Sequence, residues 1–497
     1  MSAVVRPNRV RAFPFPRSSA DRRKRDFSEV QEPYTLAESI AEADRCLTCG
    51  TPVCMDSCPV LADVRGMCEA VARGDLAAAY RKLRETNPLP GVTARCCPQL
   101  HRLCEDACAM RWAGHPIAVG MIQRFVADWE RVESRQPEPP RATDTGKHVS
   151  VVGAGPAGLA AADLLRRYGH TVTIFEEGPA PGGTAWYGIP DFHLPKEVFL
   201  YEMERIQEEG VEIKLNMKVG RDVSLRDLLA GGSNAVLIAT GLGEPVKEKP
   251  PGLELKGIYD GYRFLHDVFV DGVDNYLRRP KYDLGKEILV MGGGDAALDC
   301  ARTALRLSSG NVTVVYRRTV NEMPADPIMI EEAKEEGVQF RFLAQSKSYN
   351  GVDGRIVSTT LSATRLGAPD EHGKPRVEVL PEQESEIRCS SVLLALGRRP
   401  NPFLQRKAGL KMGTNNSISI DDHYRTSMEG VFAAGDVTTG ESLVVKAMAS
   451  GREAAQRIHE YLMGLEEEHV SFYDRYYNQR TYEKLIHWQE DVGPPPP

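Results

Sequence analysis

Two stretches of this chain repeat the same order of a strand, a glycine-rich turn, a helix and a second strand. The first is HVSVVGAGPAGLAAADLLRRYGHTVTIFEE, residues 148–177, and the second is KEILVMGGGDAALDCARTALRLSSGNVTVVYRR, residues 286–318. Each runs from an apolar strand through glycines into an amphipathic helix. Two βαβ units in one chain predict two parallel α/β sheets, each of which binds a dinucleotide.

The first turn follows the pattern G-x-G-x-x-G, with Gly153, Gly155 and Gly158. The first glycine permits a tight turn, the second lets a pyrophosphate approach the backbone, and the third allows helix and strand to pack closely. The following helix offers its positive N-terminus to the phosphates. Glu176 ends the second strand, where its carboxylate can accept hydrogen bonds from a ribose diol. These features predict a dinucleotide site rather than a purely structural turn.

The second turn differs at the end of its second strand. Gly292, Gly294 and Ala297 occupy the positions of the three glycines, but Arg317 and Arg318 stand where the first unit has its acid. Guanidinium groups suit a 2′-phosphate, which an acid would repel. The pattern therefore favours NADPH over NADH, and a solvated arginine pair is the alternative.

Cysteines are concentrated near the N-terminus, because nine of the eleven lie between residues 46 and 108. Their first run is C-x2-C-x4-C-x3-C-P, which is close to the C-x2-C-x2-C-x3-C-P run of bacterial ferredoxins. The two groups are Cys46, Cys49, Cys54 and Cys58, then Cys97, Cys104 and Cys108. Two four-ligand clusters need eight ligands, and these groups supply seven. Iron–sulfur is favoured; zinc, which would prefer two C-x2-C pairs or added histidines, and unligated thiols are the alternatives.

Composition narrows the class of protein. The chain of 497 residues is 42% hydrophobic and carries a net charge of −7, so no global field attracts nucleic acid or an anionic membrane. The basic cluster at residues 22–25 lies in a proline-rich arm and is interpreted as a solvated or partner-docking tail. No signal-peptide core or apolar run of membrane-spanning length is present. We therefore expect a cytoplasmic protein with reduced thiols and no membrane or nucleic-acid partner.

The stretch GVFAAGDVTTGESLVVKAMASGREAA, residues 430–455, resembles the second FAD signature of flavoprotein reductases that have two dinucleotide domains. In those proteins the aspartate, here Asp436 after Gly435, meets the ribityl chain, and the helix N-terminus faces the flavin ring. The resemblance implies FAD in the first unit and the nicotinamide cofactor in the second. Hydride transfer then depends on cofactor positioning, so no catalytic acid or base is expected.

Eight further segments carry a more specific resemblance: AEADRCLTCGTPVC, CPVLADVRG, ETNPLPGV, IAVGMIQRF, YGIPDFHLPKE, GGGDAALDCARTALR, YRRTVNEMPA and AAGDVTTGESLVVKA. Together with the order of the segments, they resemble the glutamate synthase small-subunit family over residues 35–465. That family includes the N-terminal half of dihydropyrimidine dehydrogenase and the large subunit of the NADH-dependent ferredoxin:NADP oxidoreductase.

The resemblance implies the ligands of two [4Fe–4S] clusters. The first would be held by Cys46, Cys49, Cys54 and Cys108, and the second by Cys58, Cys97, Cys104 and Gln123. A glutamine oxygen would thus fill the eighth ligand position. The resemblance also implies further cofactor contacts, from Pro156, Ala157, Gly183, Thr184, Val219, Val445, Gly293, Asp295, Ala296 and Gly397.

Some residues depart from the family pattern. Cys96 adjoins Cys97 and competes with it as a ligand, and Ala296 stands where relatives usually carry threonine. His193 replaces the usual arginine or lysine and is expected to be a loop residue rather than an acid or base. The isolated cysteines are expected to be buried packing residues: Cys68, Cys300 and Cys389.

The expected fold is α/β, with an N-terminal α-helical di-[4Fe–4S] domain followed by two Rossmann-like nucleotide-binding domains. The expected segments are an arm (1–30), the helical iron–sulfur domain (31–135), a linker (136–147), the first part of the FAD-binding domain (148–280), the NADPH-binding domain (281–400), the second part of the FAD-binding domain (401–465) and a tail (466–497). The tail, which ends in four prolines, is expected to be disordered or to lie over a neighbour.

The expected function is that of an NADPH-dependent oxidoreductase subunit, which passes electrons through FAD and [4Fe–4S] clusters to a protein partner. The partner would be an amidotransferase-type large subunit of glutamate synthase, a ferredoxin-reductase-type subunit, or ferredoxin. A ferredoxin:NAD(P) oxidoreductase or electron-bifurcating transhydrogenase is the enzymatic alternative. A non-catalytic electron-wiring or scaffold subunit is the alternative of another class.

Overall fold

A computed structural model describes residues 16–98, 103–246, 249–270, 272–370 and 375–465. The predicted tail at 466–497 and the first half of the predicted arm lie outside these residues. Within them, no helix combines the length and the apolar character that a membrane crossing requires.

The N-terminal part of the chain is helical. Its helices begin at clear capping residues: Thr35 and Glu38 form a capping box, and the carboxylates of Asp63 and Asp75 accept the backbone N–H groups of Gly66 and Ala78. Residues 31–135 are called the helical unit below. The helices, with a 3₁₀ turn at Ala109–Ala113, are α1 (Ala20–Arg23), α2 (Leu36–Asp44), α3 (Val53–Asp56), α4 (Val64–Ala72), α5 (Leu76–Arg84), α6 (Pro90–Cys96), α7 (Leu103–Asp106) and α8 (Val119–Val132).

The first dinucleotide unit contains a five-stranded parallel sheet. Its strand order is β15-β4-β1-β2-β3, and β4 is buried along its whole length, as expected for a sheet covered on both faces. The elements before the chain leaves this unit are β1 (His148–Val152), α9 (Pro156–Arg167), β2 (Thr171–Phe175), α10 (Thr184–Tyr187), α11 (Lys196–Glu208), β3 (Val211–Lys214), α12 (Leu225–Ala230), β4 (Ala235–Ile238) and β5 (Glu244–Pro245).

The second unit repeats this architecture with the strand order β6-β13-β7-β8-β9. Its elements, with a 3₁₀ turn at Val320–Glu322, are β6 (Ile258–Asp260), α13 (Gly261–Phe269), α14 (Val273–Arg278), β7 (Glu287–Met291), α15 (Asp295–Leu307), β8 (Asn311–Tyr316), α16 (Pro327–Glu336), β9 (Gln339–Phe342), β10 (Ala344–Val352), β11 (Arg355–Pro369), β12 (Pro375–Arg388), β13 (Ser391–Leu394) and β14 (Arg398–Arg399). The predicted α/β fold with two Rossmann-like units is therefore confirmed.

Strand β6 departs from the expected domain boundary. It pairs in parallel with β13, and Val392 lies opposite Ile258. Residues near 258, expected in the first unit, thus form the edge of the second sheet. A three-residue strand before any glycine motif gives no periodic signal, so only the pairing shows which sheet it joins.

A three-stranded antiparallel sheet, to which no sequence signal pointed, interrupts the second unit. It has the order β10-β11-β12 and leads from β9 back to β13. Most residues of β12 are exposed, so this strand lacks the apolar alternation by which a half-buried strand is recognised. Tyr349, Ile356 and Leu361 pack this sheet onto the second parallel sheet.

The chain returns to the first unit through α17 (Phe403–Ala408), a 3₁₀ turn at Thr414–Asn416, β15 (Val431–Ala433), α18 (Asp436–Thr439) and α19 (Val444–Met463). Strand β15 completes the first sheet beside β4. Helix α19 packs against α9 at very short range, because a Cβ on Gly451 would stand 2.0 Å from the carbonyl oxygen of Ala157. Strands β5 and β14 pair where the chain crosses between the two units.

The basic cluster of the arm is solvated only in part: Arg22 and Arg25 are exposed, as the sequence interpretation expected, whereas Arg23 is not. Arg23 is only 2% exposed and pairs with Glu335 and Glu336 on α16 of the second unit. The acidic partners lie more than 300 residues away in the chain, so composition alone could not reveal them.

Candidate functional site

The first glycine turn joins β1 to α9 in close contact with the neighbouring strand. Gly153 has φ +105°, and a Cβ on it would stand 2.5 Å from the carbonyl oxygen of Ala239. A Cβ on Gly158 would stand 2.0 Å from the carbonyl oxygen of Gly153. Packing within the protein therefore requires these two glycines.

Gly155 has a different role from its neighbours. Its backbone is in the ordinary extended region, and a Cβ on it would find no heavy atom nearer than the Cα of Gly183, 4.0 Å away. The missing side chain thus leaves open space at the N-terminus of α9, which begins at Pro156 and Ala157. Gly183, with φ +53°, and the exposed Thr184 form the opposite side of this cradle. Its open backbone at Gly155 and its helix N-terminus fit the pyrophosphate of FAD.

Glu176 lies at the C-terminal end of β2 beside the cradle. One carboxylate oxygen accepts the N–H of Ala154 and the other accepts the N–H of Gly178, each at 2.8 Å. Burial raises the pKa of this carboxyl, and the two backbone donors oppose the rise. These bonds hold the carboxylate at the strand end, where it can still accept hydrogen bonds from a ribose.

The C-terminal segment reaches the same cradle. Gly435 has φ +74°, and a Cβ on it would stand 2.8 Å from the Cβ of Ala157. Asp436 begins α18, and its carboxylate accepts a hydrogen bond from the Ser442 hydroxyl at 2.5 Å. Burial raises the pKa of Asp436. The structure thus brings the segment at 435–445 to the first unit, where the resemblance implies FAD.

Two of the implied FAD contacts are buried side chains. Val445 lies in the first turn of α19 and is 2% exposed. Val219 belongs to the apolar cluster of the first sheet, with Val152 and Phe175. Their side chains therefore have packing roles, and their backbone atoms are the groups left for a cofactor.

The second glycine turn repeats the same division of roles. A Cβ on Gly292, with φ +147°, would stand 2.2 Å from the carbonyl oxygen of Ala395, and one on Gly293 would stand 2.4 Å from the ring of Tyr316. A Cβ on Gly294 would find no heavy atom nearer than the Cγ of Pro324, 3.9 Å away. Helix α15 starts directly after it, so the second cradle also fits a pyrophosphate.

The residues that follow Gly294 support the second turn. The Asp295 carboxylate accepts the backbone N–H of Asp326 at 2.8 Å, which ties the helix start to the segment before α16. Ala296 is exposed, whereas Ala297 is fully buried against the turn. Gly397, with φ +94°, lies where the chain leaves β13, and its carbonyl accepts the N–H of Val246.

The two arginines after β8 have different environments. Arg317 is exposed, and its backbone carbonyl accepts a hydrogen bond from the Thr364 hydroxyl. The Arg318 guanidinium donates to the carbonyl oxygen of Pro375 at 3.2 Å. Arg317 is therefore the better placed of the two to receive a 2′-phosphate.

The cysteines of the helical unit fall into two groups in space. Burial, and then the nearby thiols of Cys46 and Cys108, raise the pKa of Cys49. Burial, then Cys108, Cys46 and Cys49, raise the pKa of Cys54 to about 12. Cys108, distant in sequence, thus joins the three leading cysteines, as the resemblance implies.

The second group forms around Cys58. Burial and then Cys58 raise the pKa of Cys97, while burial, Glu105, Cys58 and Cys97 raise that of Cys104. The sulfur of Cys58 also accepts backbone N–H groups from the segment at 60–62. Low-dielectric surroundings disfavour a free thiolate, because its charge is not solvated. The positive charge of a bound metal cluster would compensate it, so these buried cysteines suit cluster ligands.

The structure separates the roles of Cys96 and Cys97. The charged groups nearest Cys96 are Arg95, Asp299 and Glu202, so this thiol lies towards the two dinucleotide units. Cys97 instead lies beside Cys58, in the second cysteine group. Cys97 is therefore the better candidate ligand.

Gln123 is oriented by α6. Its amide nitrogen donates to the carbonyl oxygen of Pro90 at 2.8 Å and to the hydroxyl of Thr93 at 2.7 Å. Thr93 is one helical turn before Cys97, whose N–H bonds to the Thr93 carbonyl. Both amide hydrogens are thus used, which leaves the side-chain oxygen as the atom for a ligand bond.

One thiol that sequence reasoning treated as packing contacts the first group. Cys68 is fully buried, as expected, but a hydrogen bond from its thiol lowers the pKa of Cys46 to about 7. No spacing rule could reveal it, because Cys68 lies on α4, outside both motifs. The other two isolated cysteines, Cys300 and Cys389, are buried far from both groups in the second unit.

Within the described residues, no three side chains of the His, Cys, Asp or Glu type converge on a point that a single metal ion would occupy. A [4Fe–4S] cluster spans several atoms, so its ligands stand farther apart than those of one ion. The two groups, one of four thiols and one of three, suit the ligation of such clusters, and the side-chain oxygen of Gln123 is the predicted eighth ligand.

Two family models match the chain. The model described as pyridine nucleotide-disulphide oxidoreductase matches residues 147–451, and the model described as the 4Fe–4S cluster domain II of dihydropyrimidine dehydrogenase matches residues 23–135. The glutamate synthase [NADPH] small chain of Escherichia coli is 35% identical over 450 residues, which cover 88% of this chain and 95% of that protein. The corresponding chain of Azospirillum brasilense is 35% identical over 461 residues, which cover 90% and 94%.

Other relatives are longer than this chain. The NADP(+)-dependent formate dehydrogenase subunit beta of Moorella thermoacetica is 35% identical over 437 residues, which cover 83% of this chain and 60% of that protein. Among solved structures, FprA of Mycobacterium tuberculosis in complex with NADPH aligns with a TM-score of 0.55 and 18% identity, covering 69% of this chain and 89% of that one. That likeness shows a shared fold.

Proposed function

Because the chain belongs to the family of glutamate synthase [NADPH] small chains, we propose that it is the NADPH-oxidising electron-transfer subunit of a larger enzyme, most specifically of a glutamate synthase. It is an NADPH-dependent oxidoreductase that uses FAD and 4Fe–4S chemistry. The observation that carries the proposal is that one chain joins two dinucleotide cradles to two neighbouring cysteine groups. When bound, FAD accepts a hydride from NADPH and releases electrons one at a time to iron–sulfur clusters.

In this proposal the first unit holds FAD. The open backbone at Gly155 and Gly183 receives the pyrophosphate, Glu176 accepts hydrogen bonds from the ribose, and Asp436 meets the remaining chain of the cofactor. The second unit holds NADPH at Gly294, with the guanidinium of Arg317 on the 2′-phosphate. The protein binds and orients both cofactors, and no side chain is assigned as an acid or base.

The two cysteine groups would hold two [4Fe–4S] clusters. The first group is Cys46, Cys49, Cys54 and Cys108, and the second is Cys58, Cys97, Cys104 and Gln123. An oxygen ligand donates less charge than a thiolate, so the second cluster differs electronically from the first. Cysteines that remain reduced suit a reducing compartment, and we place the protein in the cytoplasm.

The surroundings of the two groups suggest an order along the electron path. The second group adjoins the first unit, because the Glu202 carboxylate of α11 accepts the N–H groups of Gly91 and Val92 at the start of α6. Cys108 of the first group directly precedes the 3₁₀ turn that carries Trp112, whose side chain is 90% exposed. We infer that the second group receives electrons from the first unit and that the first group delivers them to the partner.

The exposed residues around the first group would form the docking surface. Leu47 is 49% exposed and Val53 is 50% exposed, and both stand between cysteines of the first group. Large apolar side chains at such exposure are typical of protein–protein contacts. The partner best supported is the large chain of a glutamate synthase, because this chain covers nearly the full length of the small chains it resembles.

Anaerobic purification followed by cofactor analysis and reductive titration tests the cofactor assignment. We expect about one FAD and about eight iron atoms per chain, and bleaching of the visible spectrum by NADPH but not by an equal dose of NADH. A colourless protein that contains only zinc would refute the proposal.

Reconstitution with a glutamate synthase large chain tests the partner. We expect a stable complex that forms glutamate from glutamine and 2-oxoglutarate at the expense of NADPH. The relative named as a formate dehydrogenase subunit points to a second candidate, a ferredoxin-linked or formate-linked assembly. Electron delivery to ferredoxin, without complex formation with the large chain, would favour that candidate.

A further inference from the structure

Residues 16–32, here called the strap, form a closed loop of their own. The N–H of Ser18 bonds to the carbonyl oxygen of Val30 at 3.0 Å, and the N–H of Glu32 bonds to that of Pro16 at 2.8 Å. The strap contains the basic residues at 22–25, which belong neither to the dinucleotide cradles nor to the cysteine groups. These backbone hydrogen bonds fix the conformation of the strap, so its side chains have defined positions for contacts with the rest of the protein.

The strap is anchored to the second unit by charge. The guanidinium of Arg23 pairs with Glu335 and lies 3.4 Å from the carboxylate of Glu336. Arg306 on α15 donates to the carbonyl oxygen of Asp26 at 3.0 Å. Arg306 also pairs with Glu336 at 2.8 Å, so this carboxylate joins the strap to both α15 and α16.

The strap also contacts the other two parts of the molecule. The N–H of Val30 bonds to the carbonyl oxygen of Phe192 in the first unit at 3.0 Å. The ring of Phe27 lies 6.3 Å from that of Phe192 and 5.8 Å from that of Phe269 on α13. In the helical unit, the Glu29 carboxylate pairs with Arg95 at 2.8 Å. One short segment thus joins all three units.

The second unit is held against the first at the same place. Arg302 on α15 is fully buried and pairs with Glu332 at 2.9 Å and with Glu336. It also lies 3.0 Å from the Nε2 atom of His193 and over the ring of Phe192, both in the first unit. His193, expected to be an ordinary loop residue, is therefore a contact between the two dinucleotide units.

This orientation brings the second unit against the first cradle. The ring of Tyr187 on α10 stacks on that of His266 on α13, with centroids 4.8 Å apart. A Cβ on Gly188 would stand 3.0 Å from the ring of Tyr262, the second residue of α13. Since α15 carries the NADPH cradle at its N-terminus, holding α15 also fixes that cradle relative to the first.

We propose that the strap is an internal clamp that holds the second unit in the orientation used for hydride transfer, with Arg23 and Arg302 as positioning residues. The inference rests on the proposed function, in which NADPH reduces FAD between these units. Hydride transfer requires close alignment, and small displacements of the reacting groups slow it strongly. Removal of Arg23 takes away one of the three arginines that pair with the buried Glu336 and leaves the exposed Glu335 with Arg17 alone, which loosens the contact between the strap and α16.

The test compares Arg23→Gln with Arg22→Gln in the cofactor-loaded full chain. Arg22 is the neighbouring residue in sequence, but its side chain is 56% exposed and pairs within the strap, with Glu32 at 3.7 Å. In anaerobic stopped-flow reduction of FAD by NADPH, we expect the limiting rate constant of R23Q to fall about fivefold or more. The apparent Kd for NADPH should change less than about twofold, R22Q should match the wild type, and Arg23→Lys should recover part of the rate.

Hydrogen exchange supplies a readout that does not depend on activity. In the wild type, the Val30 amide should be strongly protected, and R23Q should increase exchange in α15 and α16 but not in the sheet of the first unit. Exchange of Val30 at the rate of an unfolded chain would overturn the proposal. Unchanged FAD reduction in R23Q would also overturn it. Faster reduction would overturn it as well, because the strap would then slow hydride transfer.

A second variant covers the case in which R23Q fails to fold. Phe27→Ala removes the ring between Phe192 and Phe269 without leaving a charge unpaired, and we expect the same loss of rate with normal FAD content. F27A that reduces FAD as fast as wild type would overturn the clamp. Absence of any FAD reduction by NADPH in the wild type would instead refute the proposed function itself.

Discussion

The two dinucleotide units share a strand order but differ in where the chain supplies the outer strand. In the first sheet the outer strand β15 comes from beyond the second unit, whereas in the second sheet β6 precedes the unit's own glycine motif. The chain therefore completes each sheet while passing to or from the other. Only the first unit is split in sequence, because β15 follows the second unit, whereas the second unit runs without interruption from β6 to β13. The boundary between them lies before β6, where no motif marks it along the chain.

The units also differ in how they treat the same local positions. The third glycine position holds Gly158 in the first unit and Ala297 in the second, and the second strand ends in a buried carboxylate in one and an exposed guanidinium in the other. The open second glycine is common to both. The shared feature fits the pyrophosphate that both cofactors contain, and the differing features fit the parts by which FAD and NADPH differ.

The largest effect on stability and FAD content is expected when the residue at the third glycine position of the first unit is replaced by that of the second unit. Gly158→Ala places a Cβ 2.0 Å from the carbonyl oxygen of Gly153, so the helix must move away from the turn. We expect loss of bound FAD and a decrease of about 3 kcal/mol in the free energy of unfolding. The reciprocal Ala297→Gly should cost only about 1 kcal/mol and leave FAD bound. Equal FAD content in the two variants, measured by absorbance and denaturant unfolding, would contradict the difference.

The stability of the protein should depend on pH through Glu202, the carboxylate of the first unit that binds the start of α6 in the helical unit. Burial raises the pKa of Glu202 from 4.5 to about 8, although the N–H groups of Gly91 and Val92 oppose the rise. The folded state therefore binds this proton more tightly than the unfolded state, so stability falls as pH rises from about 4.5 to about 8 and levels off above.

Glu202→Gln should remove this decline, whose upper limit for the full rise of the pKa is about 5 kcal/mol. Denaturant unfolding across that pH range, with the wild type and E202Q side by side, measures the difference. Parallel curves for the two proteins would show that Glu202 ionises alike in the folded and unfolded states.

The end of the second strand should set cofactor preference in the second unit. Arg317→Ala removes a charge-assisted contact to the 2′-phosphate, and we expect the KM for NADPH to rise about 10- to 100-fold, which corresponds to about 1.5–3 kcal/mol. The KM for NADH should stay unchanged. Arg318→Ala is the matched control, because its guanidinium bonds to Pro375. Steady-state reduction of an artificial acceptor measures both, and a larger effect in R318A would reverse the assignment.

The smallest effect is expected at the corresponding acid of the first unit. Glu176→Gln keeps the size of the side chain but turns one acceptor of a backbone N–H into a donor, and we expect FAD to bind about tenfold more weakly. The neighbouring Glu177→Gln is the control, because Glu177 is 62% exposed and pairs with Lys218. Fluorescence of released FAD on dilution measures both. Equal retention in E176Q and E177Q would exclude a ribose contact at Glu176.

Local chemistry could be predicted from the sequence because it depends on short spacings. The glycine turns, the acid and the arginines at the strand ends, and the cysteine runs all lie within about one supersecondary unit of their partners. Cys108 lies near Cys49 and Cys54, a proximity that the family resemblance implied and spacing alone did not. The role of Gln123 as a ligand stays a prediction. The exposed edge strand β12 and the three-residue β6 gave no periodic signal and were missed.

The sequence alone indicates the chemistry of each site: two phosphate cradles, a predicted preference for a 2′-phosphate in one of them, and thiols in number and type suited to iron–sulfur clusters. Packing between distant elements shows three further features: Cys97 rather than Cys96 lies in the second group, the Cys68 thiol donates to Cys46, and Arg23 is buried against α16. The physical reason is that backbone turns and ligand types are properties of neighbouring residues. Which distant charge or thiol a side chain meets depends on packing between elements.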